Sequence, residues 1–171
     1  MSKPRETREQ AVFFQISSEK LIELSLATFG LFGIYWIWRH WHQLAYRGER
    51  LSPALRTLIF PVTQLDLYRR VWNGVDADDE RPRWHPMRFF ILHLLFTLLP
   101  IYMIATDHAW GALTFMLTLL PNLLVNQTVN RIHDRHLRSF ARNSDLDAVE
   151  WTILVAGLVA WLTLLAYGLQ S

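Results

Sequence analysis

Asn122, Asn126 and Asn130 recur four residues apart, so on a helix they share one face, which His133 and Asp134 continue. They sit in an otherwise apolar block, where carboxamides are unfavourable without partners. His93 lies as far before the turn Asp107-His108 as Asn122 lies after it, so a helical hairpin brings the two to equal depth. The expectation is a polar seam of His93, Asn122, Asn126 and Asn130. Two roles fit it. One is hydrogen bonding that fixes helix packing, worth roughly 0.6 kcal/mol or more per contact. The other is the lining of a hydrated path for protons or a small solute. Glu23 is the one acidic residue of the first apolar block and stands as the candidate functional carboxylate.

Other chemistry is weaker. His133 and His136 are three apart and His40 and His42 two apart, but a zinc site needs a third ligand, and His-Glu-x-x-His is absent. The acidic run Asp76, Asp78, Asp79, Glu80 lacks the glycine and distal glutamate of a calcium loop. There is no Cys, so thiolate catalysis and disulfides are excluded. Gly-x-Ser-x-Gly, phosphate-binding glycine loops and the dinucleotide fingerprint are absent as well. Asn126-Gln127-Thr128 matches a glycosylation triplet but falls at a membrane edge on the cytoplasmic side. No metal, cofactor or catalytic residue is expected.

The elements that must position the seam are long and apolar. Phe89 to Asn130 contains no Lys or Arg, although the chain carries 17. Two blocks of about 18 residues lie there, 89–106 and 109–126; each as a helix covers roughly 27 Å, close to the hydrocarbon thickness of a bilayer. Leu21–Trp38 and 151–169 are two further apolar blocks. Between them, 52–72 has apolar residues at helical spacing with Arg56, Arg69 and Arg70 elsewhere, the pattern of an interfacial amphipathic helix. Ser17 or Ser18, Ser52 before Pro53, and the pair Ser144/Asp147 are the expected caps, and Pro61 should bend its helix. Gly157 with Ala156 and Ala160 would permit close helix approach. The reading is one all-α integral-membrane domain over 1–171: a transmembrane bundle of four spans, or five if 54–68 also cross, plus the amphipathic helix. No signal peptide or lipidation motif is recognised.

Charge sets the orientation. The net charge of +2 and pI near 9.2 suit anionic headgroups, and the arginines flank apolar spans instead of forming the dense stripe of a nucleic-acid binder. The hairpin tip has no Lys or Arg, while its feet carry Arg81, Arg83 and Arg88 on one side and Arg131, Arg135, Arg138 and Arg142 on the other. The feet should be cytoplasmic and the C-terminus outside. The side of the N-terminus stays open. Four spans put it outside and five put it inside, with equal numbers of basic residues in the cytoplasm. Insertion favours four, because Arg56 and Asp66 would each cost about 2.5–3.5 kcal/mol at a helix centre. A third option is that Gly30 and Gly33 break the first block into a re-entrant hairpin, which would need protein cover at that depth.

The run Lys20-Leu21, Thr28-Phe29-Gly30-Leu31, Tyr35-Trp36, Trp41, Gly48 and Ser52-Pro53-Ala54-Leu55-Arg56 resembles a family of small bacterial inner-membrane proteins that carry a domain of unknown function. The resemblance covers about residues 11–72. It implies a location in the bacterial cytoplasmic membrane and supplies no activity and no site residues. The functional expectation is a non-enzymatic protein, in the lipid bilayer, that assembles with or modulates another membrane protein or a second copy of itself. The alternative is a transporter subunit that uses the seam.

Overall fold

The computed structural model describes residues 11–77, 79, 81–106, 108, 111–136 and 143–168. Asp78, Glu80, Asp107, Arg138, Arg142 and the first ten residues lie outside the described residues. Seven α-helices, one 3₁₀ helix and no strand occur among those described. They are α1 (Ser18–Ala27), α2 (Phe32–Tyr46), α3 (Pro53–Leu58), α4 (Phe60–Asn73), α5 (Pro86–Ala105), the 3₁₀ helix (Gly111–Thr118), α6 (Leu119–His136) and α7 (Ala148–Gly168). The chain is all-α, a helical bundle.

The first apolar block is not one helix. Ser17 caps α1 by accepting from the Lys20 N–H at 3.1 Å, and α1 ends after ten residues. The reason is local backbone: Phe29 (φ 54°) and Gly30 (φ 88°) take left-handed conformations, which glycine adopts without the steric cost borne by other residues. Thr28 holds the corner. Its Oγ1 donates to the Leu24 carbonyl and accepts from the Phe32 N–H, each at 2.8 Å. The chain then turns back along itself. Phe14 N–H donates to His40 Nδ1 at 3.3 Å, and Gln43 Nε2 donates to the Ala11 carbonyl at 2.8 Å, so both ends of the α1–α2 pair emerge together.

Residues 52–72 are also two helices instead of one. Ser52 caps α3 with Pro53 in its first turn, and the helix breaks at Ile59, with Pro61 in the first turn of α4. The two legs fold together: Thr63 Oγ1 donates to the Arg56 carbonyl at 2.6 Å and Arg56 pairs with Asp66 at 2.5 Å. This segment therefore enters and returns. Its inner side is part of the core, with Gln64, Leu67, Tyr68 and Val71 buried, while Leu58 and Val62 stay exposed.

α5 and α6 form the expected hairpin. A Cβ on Gly111 would lie 2.6 Å from Met103 Cβ, which fixes the close return. The second leg departs from the expected block, because its first turns are 3₁₀ and α6 continues to His136, past Asn126. α7 opens with a capping box one turn later than Ser144/Asp147: Asp147 N–H donates to Glu150 and Glu150 N–H donates to Asp147, each at 2.8 Å. It runs beside α1, where a Cβ on Gly157 would stand 2.2 Å from the Ala27 carbonyl oxygen.

Among the described residues one helix, α5, is long and apolar enough to cross a membrane, with 20 residues and mean hydropathy 1.9, and a shorter apolar stretch, Ala148–Thr163, lies in α7. Only 17% of the most apolar stretch of α5 is buried. Ile91, Leu95, Leu98 and Ile101 of α5, and Val155, Leu158, Val159 and Leu162 of α7, are exposed. The interior instead holds His40, Gln64, His93, Asn122, Asn126 and Asn130 beside Trp36, Trp41, Leu67 and Val125. In water each outward aliphatic side chain would forgo about 1.5–3 kcal/mol of burial.

Candidate functional site: a buried polar seam

The deep end of the seam joins three elements. His93 comes from the buried face of α5, Gln64 and Tyr68 from successive turns of α4, and Asn122 from α6. Tyr68 Oη lies 3.3 Å from His93 Nδ1 and 3.2 Å from Asn122 Oδ1, to which Gln64 Nε2 also donates at 3.4 Å. The single Tyr68 proton can go to Asn122, with His93 Nδ1–H donating to Oη, or to His93 itself; the tautomer decides. Phe60 and Tyr68 stand edge-on to the His93 ring. Gly33 makes room here, because a Cβ would lie 3.0 Å from Asn122 Nδ2.

The middle of the seam holds the pair α1–α2 in place. Trp36 Nε1 donates to Asn126 Oδ1 at 3.3 Å. Asn126 Nδ2 and Asn130 Nδ2 both donate to the Ile16 carbonyl at 3.1 Å. That carbonyl belongs to the extended segment before α1, and two side chains satisfy it where no helix can. The four expected seam residues are 0–4% exposed. His93 and Asn122 meet through Tyr68, and Asn126 and Asn130 meet at Ile16.

The shallow end carries two histidines as acceptors. Phe13 N–H donates to His133 Nε2 and Phe14 N–H to His40 Nδ1, each at 3.3 Å. Both rings must be neutral there to accept. Burial, then the neighbouring His133 and Arg39, pushes His40 down to about 3. Beside them Lys20 forms a buried ion pair with Glu150 at 2.6 Å and also donates to the Asp145 carbonyl at 2.7 Å and Asn143 Oδ1 at 3.2 Å.

Glu23 does not join the seam; it is exposed on α1. Arg56 pairs with Asp66 and stacks over Trp41 at 4.6 Å. Arg70 bridges Asp66 and Glu49 at 3.1 and 2.6 Å. Arg135 pairs with Asp79. Arg69 and Arg131 are exposed. His136 Nε2 turns to Asp76 at 3.2 Å while His133 turns to Phe13, so the two do not converge on one point. No group of three metal-binding side chains occurs among the described residues. Sequence reasoning missed Gln64, Tyr68, Trp36 and the Lys20–Glu150 pair. Gln64 and Tyr68 did carry a signal: they are two polar groups four apart on the helix assigned to the interface.

No family model, no curated protein and no solved structure matches the chain.

Proposed function

We propose that this chain is a polytopic protein of the bacterial cytoplasmic membrane, non-enzymatic, that assembles with or modulates another membrane component. In this reading α5, the 3₁₀–α6 leg and α7 cross the bilayer, and the α1–α2 and α3–α4 pairs enter from one side and leave on the same side. The span count is then three, which keeps the N-terminus inside and the C-terminus outside. One observation carries the reading: the helix long and apolar enough to cross a membrane is mostly unburied, while amides and imidazoles from four helices are buried in the interior beside its apolar core. That is the distribution expected where lipid surrounds the bundle. Charge supports it too. All 17 Lys and Arg lie before Phe89 or after Asn130, so this topology leaves none on the outer side, and Arg56 inside the entering α3–α4 pair is partnered by Asp66.

The break at Thr28–Leu31 meets the requirement that irregular backbone at depth be covered by protein. A Cβ on Gly30 would lie 2.7 Å from the Phe115 carbonyl oxygen. On the other side Trp161 Nε1 donates to the Leu26 carbonyl at 2.9 Å, and its ring lies 4.6 Å from that of Phe29. The seam's hydrogen bonds are spent within the protein, which favours the packing role. Fractionation followed by purification in mild detergent tests the proposal. A membrane-bound chain that brings down one partner, or a second copy of itself, at fixed stoichiometry supports it. A chain that stays in the supernatant, or that is always monomeric and alone, refutes it.

A second reading, a proton or small-solute path, is favoured by two buried polar atoms at the deep end, His93 Nε2 and Gln64 Oε1, that have no hydrogen-bond partner among the described residues. Flux in vesicles of the pure protein that is abolished by Asn122→Leu would replace the first reading with this one.

A further inference from the structure

The loop before α5 and the lower half of α6 enclose a cleft of about 310 Å³. Arg81, Arg83 and Arg131 line it together with Trp84, Gln127 and Thr128. Its floor is rigid, since Trp84 is buried and donates through Nε1 to Thr128 Oγ1 at 2.9 Å. Arg81 is anchored by donating to the Trp72 carbonyl at 3.3 Å. Arg83 and Arg131 have no carboxylate partner among the described residues, whereas nearby Arg135 is neutralised by Asp79. Three guanidiniums around one concavity form a site for a phosphate-bearing anion.

The wall of the cleft says which kind. Leu117, Leu120, Leu124, Gln127 and Arg131 fall on one face of the leg formed by the 3₁₀ helix and α6. Leu117, Leu120 and Leu124 are exposed, and Leu124 lines the cleft. An apolar strip therefore runs directly into the basic pocket. A free phosphate has no use for that strip, while an acyl chain does. We propose that the cleft binds one anionic phospholipid, with its phosphate between Arg83 and Arg131 and an acyl chain along Leu124 and Leu120. The proposal rests on the membrane reading above.

Native mass spectrometry of the intact chain in neutral detergent, titrated with phosphatidylglycerol, phosphatidylcholine or inorganic phosphate, tests it. The expected result is one phosphatidylglycerol retained in clear preference to phosphatidylcholine. Arg83→Gln and Arg131→Gln should each weaken retention about fivefold. Arg69→Gln removes the same charge from an exposed position outside the cleft and should leave retention unchanged. Equal retention of the two lipids, or an equal loss in Arg69→Gln, overturns the proposal. So does inorganic phosphate that displaces phosphatidylglycerol at equal concentration. Flotation with pure phosphatidylcholine vesicles separates the two levels of failure. A chain that floats but shows no selectivity loses only the cleft assignment; a chain that does not float loses the membrane reading and the cleft with it.

Discussion

Lys20 and Glu150 are a charge pair almost wholly out of solvent, 2.6 Å apart, that ties the start of α1 to the start of α7. Removing one partner strands the other, which costs about 3–5 kcal/mol, whereas replacing both with apolar groups of similar volume is near neutral. Glu150→Ala should therefore lower the unfolding midpoint in detergent sharply, and the double change Lys20→Met with Glu150→Leu should recover most of the loss. Glu150→Ala also removes half of the capping box, so the recovery separates the ion pair from the cap. His40 gives a pH dependence. It holds a folded value of about 3, against 6.5 for the exposed side chain. Below pH 6.5 the unfolded chain binds a proton that the folded chain refuses, so stability is full above 6.5 and falls as pH drops from there toward 3. Melts between pH 7.5 and 5 should show this decline, and His40→Gln should flatten it. A slope unchanged by His40→Gln would mean that other groups carry the dependence.

Gly157 makes the contact of α7 with α1 possible. A Cβ there would stand 2.2 Å from the Ala27 carbonyl oxygen, on backbone that has nowhere to go. Gly157→Ala should thus push α7 outward and cost about 1–3 kcal/mol. Gly48 is the matched control: it has φ 96° but open space around it, so Gly48→Ala should cost only about 1 kcal/mol of backbone strain. Equal losses in a thermal or denaturant titration would refute the close-contact argument. The small residues around Gly157 marked a close approach from the sequence; that α1 is the helix approached was not legible, because spacing on one helix says nothing about its neighbour. The same holds at Gly30. The sequence offered a break there as one of three options, and what selects it is the cover given by Phe115 and Trp161, both more than eighty positions away.

At the scale of the molecule, the membrane reading proposed above would let the α1–α2 return remove the tie in the charge rule. Four and five crossings divide the basic residues equally well, while three crossings with two re-entrant pairs would leave none of them on the outer side. Reporter fusions at residue 1 and in the Gly48–Glu49 loop should both read cytoplasmic, and one after residue 168 should read external. Opposite signals at the first two positions would mean that 21–38 crosses the membrane, against the geometry of the Phe14–His40 contact.

Residue types alone determined the apolar hairpin, a cap at Ser17 or Ser18 and another at Ser52, and a buried amide face at Asn122, Asn126 and Asn130, because each follows from local backbone rules or from a helical period that any environment preserves. Equal depth on the hairpin legs likewise brought His93 level with Asn122. Folding decided what those groups touch. Tyr68 bridges His93 to Asn122 only because α4 turns inward at Ile59, and Ile16 becomes the shared acceptor only because the chain before α1 lies against α6. A side chain's own period fixes the face it occupies, but its hydrogen-bond partner is set by contacts between segments far apart in the chain, and those exist only once the helices have packed.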